Sequence, residues 1–224
     1  MALVVFVAAV GVCLRVLFTA QAVSAFEEGM RIVLDAGHGG IDGGVVGKKT
    51  GIKESDLNLA IVYKLKTELE ELGFEVVLTR KTEAGLYDTT AKGFKKRDMQ
   101  KRKEIVESVN PSMVLSIHQN YYPSQATRGG QVFYDGKNEG SKKLALLTQK
   151  KLNELYDREG AKARNATSGE FFMLSCSDCP SVIVECGFLS NEKDENLLTD
   201  ESWQKKLAET LARGVLAYFS DISV

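Results

Sequence analysis

The chain is poor in histidine, with only His38 and His118 among its 224 residues. Any Cys–His nucleophile built on Cys186 would have to borrow one of those two imidazoles. The His-Glu-x-x-His signature is missing, which excludes a helical zinc-protease site. Cysteine is also scarce. Beyond residue 25 only Cys176, Cys179 and Cys186 remain. No further pair exists to complete a four-cysteine metal site with Cys176-Ser177-Asp178-Cys179, and no thioredoxin-like opening stands beside it. A loop disulfide or buried thiols are the readings left. Charge of one sign is not in excess, since the net charge is -1, so nothing suggests a nucleic-acid partner. Repeats, low-complexity tracts and Pro- or Ser-rich linkers are absent, and a chain of this length suits one compact core. The stretch Asp42-Gly43-Gly44-Val45-Val46-Gly47-Lys48-Lys49 fails as a phosphate loop at both ends. That loop needs Gly where Asp42 stands and Ser or Thr where Lys49 stands.

What the sequence does have begins with Met1 to Ala25, almost wholly apolar and carrying one charged side chain, Arg15. Val23-Ser24-Ala25 has the small-residue pattern of a signal-peptidase site. The run before Arg15 is shorter than the roughly 20 apolar residues that cross a bilayer. The whole segment is long enough, with Arg15 costing roughly 2.5–3.5 kcal/mol. A signal peptide or a membrane anchor over 1–25, then one domain over 26–224, is the expected organisation. Either form exports the domain, and only this segment would touch a membrane.

From Arg31 onward short apolar runs alternate with amphipathic stretches. Strands are expected at Arg31–Asp35, Glu75–Thr79, Met113–Ile117, Gly130–Tyr134 and Ser181–Glu185. Helices are expected at Ser55–Leu72, through a basic stretch ending at Val109, and at Ser141–Tyr156 and Glu201–Tyr218. Such alternation predicts an α/β domain of three layers, with a mostly parallel sheet flanked by helices. Lys92, Lys95, Lys96, Arg97, Lys101, Arg102 and Lys103 form the one dense basic run, and it reads as a solvated helix face.

Chemistry-bearing side chains gather at the ends of the predicted strands. His38 follows the first strand, His118 a central one, and Glu185 closes the run Ser181-Val182-Ile183-Val184-Glu185. Carboxyl ends of parallel strands face the crevice where α/β proteins bind ligands. Glu54 sits just before the first amphipathic helix, where its carboxylate faces back toward the loop of His38. Alone, each has a plain structural reading: a turn histidine, or a first-turn acid favoured by the helix dipole. Glu185 is different, because a carboxylate ending an apolar strand needs a partner when buried. Together the residues make either a set of structural groups or a catalytic metal site of two imidazoles and a carboxylate.

Four segments then carry a family resemblance. They are Leu34-Asp35-Ala36-Gly37-His38-Gly39-Gly40, Glu54-Ser55-Asp56-Leu57-Asn58, Ser116-Ile117-His118-Gln119-Asn120 and Glu185-Cys186-Gly187-Phe188-Leu189-Ser190-Asn191. In order and spacing they resemble the zinc-dependent N-acetylmuramoyl-L-alanine amidases of bacterial cell walls, and the likeness runs from Arg31 to Phe219. With Gly130-Gln131-Val132-Phe133-Tyr134, the chain is most similar to the germination-specific, spore-cortex members. The resemblance implies one Zn2+ per chain held at His38, Glu54 and His118, with Glu185 as the catalytic carboxylate. It implies peptidoglycan as substrate, an accessory or activating protein as a possible partner, and a place in the cell wall or the forespore intermembrane space. Asn120 and Asn191, which end two of the segments, are the candidates for substrate contact. A non-catalytic wall-binding module on the same fold is the alternative, as are a vegetative autolysin and an exported zinc carboxypeptidase-like enzyme. On any catalytic reading the thiols are spectators. Replacing Cys176, Cys179 and Cys186 with Ser should leave most activity in a folded chain, and an inactive but folded, zinc-loaded Cys186→Ser protein would restore the thiol nucleophile.

Overall fold

In the computed structural model residues 29–221 are described, so the apolar segment Met1–Ala25 and its processing lie outside the described residues. Strand β1, Arg31–Ala36, is buried at every position after Arg31, as expected of a strand covered on both faces. It lies between β2 (Glu75–Leu78) and β3 (Met113–Asn120) and runs parallel to both. Strand β6 (Ser181–Phe188) continues the parallel set beside β3. Strands β4 (Gln131–Tyr134) and β5 (Thr167–Ser168) complete the edge, with β4 antiparallel to β6 and parallel to β5. Among the described residues the sheet has six strands in the order β2-β1-β3-β6-β4-β5. No helix among them is long and apolar enough to cross a membrane.

Side-chain alternation along these strands sorts the molecule into layers. Ile32, Leu34, Leu115, Ile117, Val182 and Val184 point to one face and form the larger core. It is covered by α1 (Glu54–Glu71), α3 (Glu139–Asp157) and α5 (Glu201–Ser220). On α1, Leu57, Ile61, Leu65 and Leu69 make the apolar stripe that the sequence predicts. Val33, Val114, Val106, Met173 and Cys176 make a smaller core on the opposite face, under α2 (Phe94–Val109) and the 3-10 turn Phe172–Leu174. The same alternation places Asp35, Ser116, His118, Ile183 and Glu185 on this thinner face.

The expected elements are present, with three differences beside the added two-residue strand β5. Strands β3 and β6 run past Ile117 and Glu185 to Asn120 and Phe188, so His118 and Glu185 face each other inside the sheet rather than at strand ends. Pairing persists across them and then slips between His118 and Asn120. The short helix α4 (Glu192–Leu198) was not expected. Its signal was present: Asn191 caps it by accepting from Asp194 N, and Glu192, Asp194 and Glu195 fill its first turn. Among the described residues Cys176, Cys179 and Cys186 are free, the first and last of them buried, which selects the buried-thiol reading.

The third difference concerns the basic stretch, since Arg102 is not part of a solvated face. Its side chain is 1% exposed, with Nη1 2.5 Å from Asp35 Oδ1 and Nε 2.6 Å from Asp98 Oδ2. Helical spacing places Asp98, Arg102 and Val106 in one row, and that row faces the sheet. Burial alone would raise the Asp35 carboxyl, but Arg102, Ser116 and Thr79 outweigh it and hold the group at about 2. A carboxyl lowered from 3.8 to about 2 contributes about 2 kcal/mol of stability, present at neutral pH and lost as pH falls from about 4 through 2. Arg102→Met should therefore cost about 3–5 kcal/mol at pH 7 by leaving a buried carboxylate unpaired. The penalty should shrink toward pH 2, and urea unfolding at both pH values measures it.

Candidate active site

Glu54, the first residue of α1, is 2% exposed and holds the site together. Its Oε1 lies 2.9 Å from His118 Nδ1 and 3.3 Å from His38 Nε2, and it accepts from Gln119 N at 3.1 Å. Its Oε2 accepts from Val45 N at 2.9 Å, which folds the loop between β1 and α1 back over the helix start. Burial opposes ionisation of Glu54, but hydrogen bonds from His118 and His38 prevail and hold it well below the usual carboxylate range. Asn58, one turn along α1, donates to Glu54 Oε1 and to Gly37 O, and receives Gln119 Nε2 at its own Oδ1.

His38 sits in the loop with φ 60, a left-handed conformation that costs a side-chain-bearing residue roughly 1–2 kcal/mol. Three buried guanidinium contacts hold the turn. Ala36 O accepts from Arg80 Nε at 2.8 Å and from Arg102 Nη1 at 2.7 Å, while His38 O accepts from Arg102 Nη2 at 2.6 Å. Arg80 Nη2 also reaches Gly37 O and Ser55 O, tying loop to helix. Asp42 Oδ2 lies 3.1 Å from His38 Nδ1, and Lys95 Nζ lies 3.1 Å from the other Asp42 oxygen. Burial lowers the His38 pKa, but Glu54 and Asp42 more than offset it, so the net shift is upward.

The two imidazoles meet edge to face with centroids 5.0 Å apart. They can be this close to the backbone because residue 37 is glycine, where an added Cβ would fall 2.2 Å from His118 Cε1. One ligand atom each from His38, Glu54 and His118 lie within 4.8 Å of one another, a group able to hold a metal ion. Two imidazoles and one carboxylate form the donor set of an open, three-ligand zinc site.

Glu185 lies directly across from His118 in the β3–β6 pairing. Its Oε2 is buried and has no hydrogen-bond partner among the described residues. Burial pushes its carboxyl up to about 7, with the imidazoles opposing and Glu54 adding to the rise. An unpartnered carboxyl beside such a donor set is placed to exchange a proton.

The two asparagines stand apart from this group. Asn120 is half-buried two residues beyond His118, and its Oδ1 accepts from Tyr121 N. Asn191 uses both ends of its amide in the fold, donating to Gln125 O at 2.5 Å and accepting from Asp194 N at 3.1 Å. Sequence reasoning missed Arg80, Arg102, Asp42 and Gln119, which bear on the site without being part of the His38–Glu54–His118 group. Asn58 and Asp42 each stand four residues from a site residue, a spacing that was readable. Arg80 carried no signal, since it reaches the site from two residues beyond the end of β2.

Two histidines, a carboxylate held ionised and a second carboxyl raised to about 7 gather where β3, β6, the loop after β1 and the start of α1 meet. Such a set of groups suits a hydrolytic enzyme. The chain belongs to the N-acetylmuramoyl-L-alanine amidase family, whose profile matches residues 32–217. It is 34% identical to the germination-specific N-acetylmuramoyl-L-alanine amidase of Bacillus subtilis, over 86% of this chain and 81% of that one. It is similar in structure to the CwlD amidase of Clostridioides difficile, solved in complex with the GerS lipoprotein. That likeness has a TM-score of 0.81 and 38% identity, over 86% of this chain and 99% of the other. The catalytic domain of CwlV from Bacillus (Paenibacillus) polymyxa var. colistinus is similar at a TM-score of 0.73 and 30% identity, over 85% of this chain and 98% of that one.

The packing of His118 on Gly37 is directly testable. Gly37→Ala should fold with a loss of about 1–3 kcal/mol, because the ring must shift to admit the methyl group. Amidase activity should fall far more than stability, as turnover assays run beside urea unfolding would show. Wild-type turnover would mean that the ring position is not critical.

Proposed function

We propose that this amidase hydrolyses the bond between the lactyl group of N-acetylmuramic acid and L-alanine in peptidoglycan, using one Zn2+ held by His38, Glu54 and His118. The observation that carries the reading is the three-donor group within 4.8 Å, set beside the unpartnered Glu185 carboxyl on one sheet face. Zinc held by these three side chains would supply Lewis acidity toward a water and the scissile carbonyl. Glu185 takes a proton from the attacking water and returns it to the leaving alanine nitrogen. Glu54 stays ionised throughout, and Asp42 and the two buried arginines keep His38 in place. Asn120, half-buried near His118, is the asparagine that contacts the substrate, while Asn191 serves the α4 cap. The presence of all four site residues argues against a non-catalytic wall-binding module.

The site of action is outside the cytoplasm, on the spore cortex. The likeness to a germination-specific relative supports the cortex, and the apolar segment Met1–Ala25 supports export as a signal peptide or an anchor. An accessory lipoprotein is the partner that the CwlD–GerS complex suggests.

Metal analysis and one isosteric substitution test the chemistry together. Wild type should carry one zinc per chain, and His38→Ala, Glu54→Ala or His118→Ala should lose it. Glu185→Gln should keep the zinc and the fold while turnover drops about 10²–10⁴-fold, the usual contribution of a general acid–base group. The readout is release of new alanine amino termini from cortex and from vegetative peptidoglycan. Full zinc in His118→Ala would overturn the ligand set, and near wild-type turnover in zinc-loaded Glu185→Gln would place the base elsewhere.

A further inference from the structure

A cleft of about 270 Å³ opens beside the two imidazoles on the α2 face of the sheet. Ile183 lines it, two residues before Glu185 on the same face of β6, so the cleft is continuous with the site. One wall is Tyr87 and Phe94, packed edge to face at 5.2 Å. The other is Phe171 and Phe172, which stay 43% and 45% exposed.

Three of these rings, Tyr87, Phe94 and Phe171, are held by contacts within the fold. Tyr87 donates to Gly39 O and accepts from Ile41 N, which joins it to the loop of His38. Phe171 rests edge to face on Phe133 at 5.3 Å, and Gly169 makes room for it, since a Cβ there would fall 2.4 Å from the ring. Aromatic faces left open at the mouth of a fixed pocket are a binding surface for a ligand with a flat apolar side.

Charge decides which arm of the substrate fits. Apart from the imidazoles, the carboxylate and basic side chains that line the cleft are those of Asp35, Asp42, Asp98, Lys95 and Arg102. Arg102 is paired with Asp35 and Asp98, and Lys95 with Asp42, so each cation is already engaged and acids outnumber bases. The stem peptide carries ionised carboxylates and would meet no unpaired basic side chain here. The sugar arm is uncharged next to the scissile amide, and a pyranose ring presents a face of C–H bonds to an aromatic ring.

We propose that this cleft is the glycan subsite, with the N-acetylmuramoyl ring stacked on Phe171 and Phe172 and the stem peptide leaving on the opposite side. The proposal rests on the amidase reading for the identity of the sugar. The test compares N-acetylmuramoyl-L-Ala-D-isoglutamine with D-lactoyl-L-Ala-D-isoglutamine, which has the same scissile amide and no sugar. Changing Phe171 and Phe172 together to Ala should raise KM for the muramoyl substrate roughly tenfold more than for the lactoyl one, with the excess in KM rather than kcat. The corresponding pair of Leu substitutions keeps apolar volume but removes the flat faces, and should show the same selective loss. Equal losses on both substrates, or no loss on the muramoyl one, would overturn the proposal. So would a selective loss that appears only when the peptide is lengthened.

Binding of an N-acetylglucosaminyl-N-acetylmuramic acid disaccharide, followed by calorimetry, separates this inference from the amidase reading. Binding by wild type that the Phe171/Phe172 variants lose supports the subsite even if neither peptide is cleaved, an outcome that would sink the amidase reading alone. Cleavage of the muramoyl substrate with disaccharide binding unchanged in those variants would sink the subsite alone.

Discussion

Asp35 and Arg102 meet beneath the site, and the position of His38 depends on their contact. A carboxylate and a guanidinium taken out of water are costly, and they are tolerable only when every remaining polar group on them is satisfied. That condition is met by Ser116 and Thr79 on Asp35, and by Asp98 and two backbone carbonyls on Arg102. The carbonyls are those of Ala36 and His38, so the same contacts that satisfy the buried charge also fix the turn after β1. Arg80 adds a second guanidinium on Ala36 O and Gly37 O. With three successive carbonyls engaged, His38 can stay in a left-handed conformation that would otherwise relax.

The loop is fastened at its other end by separate contacts. The buried Glu195 carboxylate of α4 accepts from Lys49 N, Thr50 N and Thr50 Oγ1, just before the chain enters α1 at Glu54. Glu54 then draws the middle of the loop in through Val45 N. Both imidazoles converge on this carboxylate, and Gly37 lets the second approach the backbone of the first. A site on a loop is thereby held nearly as firmly as one on a strand, which catalysis by positioned groups requires.

Two glutamates near His118, one at the start of α1 and one on β6, have opposite environments. Glu54 is surrounded by donors and kept ionised, while Glu185 lies across from His118 with one oxygen buried and no donor to stabilise its charge. Acid–base sites assign roles by separating the proton affinities of similar groups in this way. The aromatic cleft continues the same face, so chemistry and proposed sugar recognition share one surface under α2.

By itself, the sequence determined the layers of this protein and singled out the four side chains of its proposed chemistry. Short β-branched apolar runs such as Ile32–Leu34 and Val182–Val184 favour covered strands, and the period of Leu57, Ile61, Leu65 and Leu69 favours a helix. His38, Glu54, His118 and Glu185 were legible because each is a polar residue flanking an apolar run or an amphipathic stretch, in a chain with no other histidine. Tertiary structure alone decided what holds them. Arg102 reads as one more cation in a basic run until α2 docks and turns it onto Asp35, 67 positions away. Arg80 and the Phe171–Phe172 wall reach the site from segments with no local pattern pointing there. Periodicity reports only which face of its own element a residue occupies. The partner it meets across that face is set by how the elements pack, and this packing turned a loop histidine, a first-turn glutamate and two strand residues into one site.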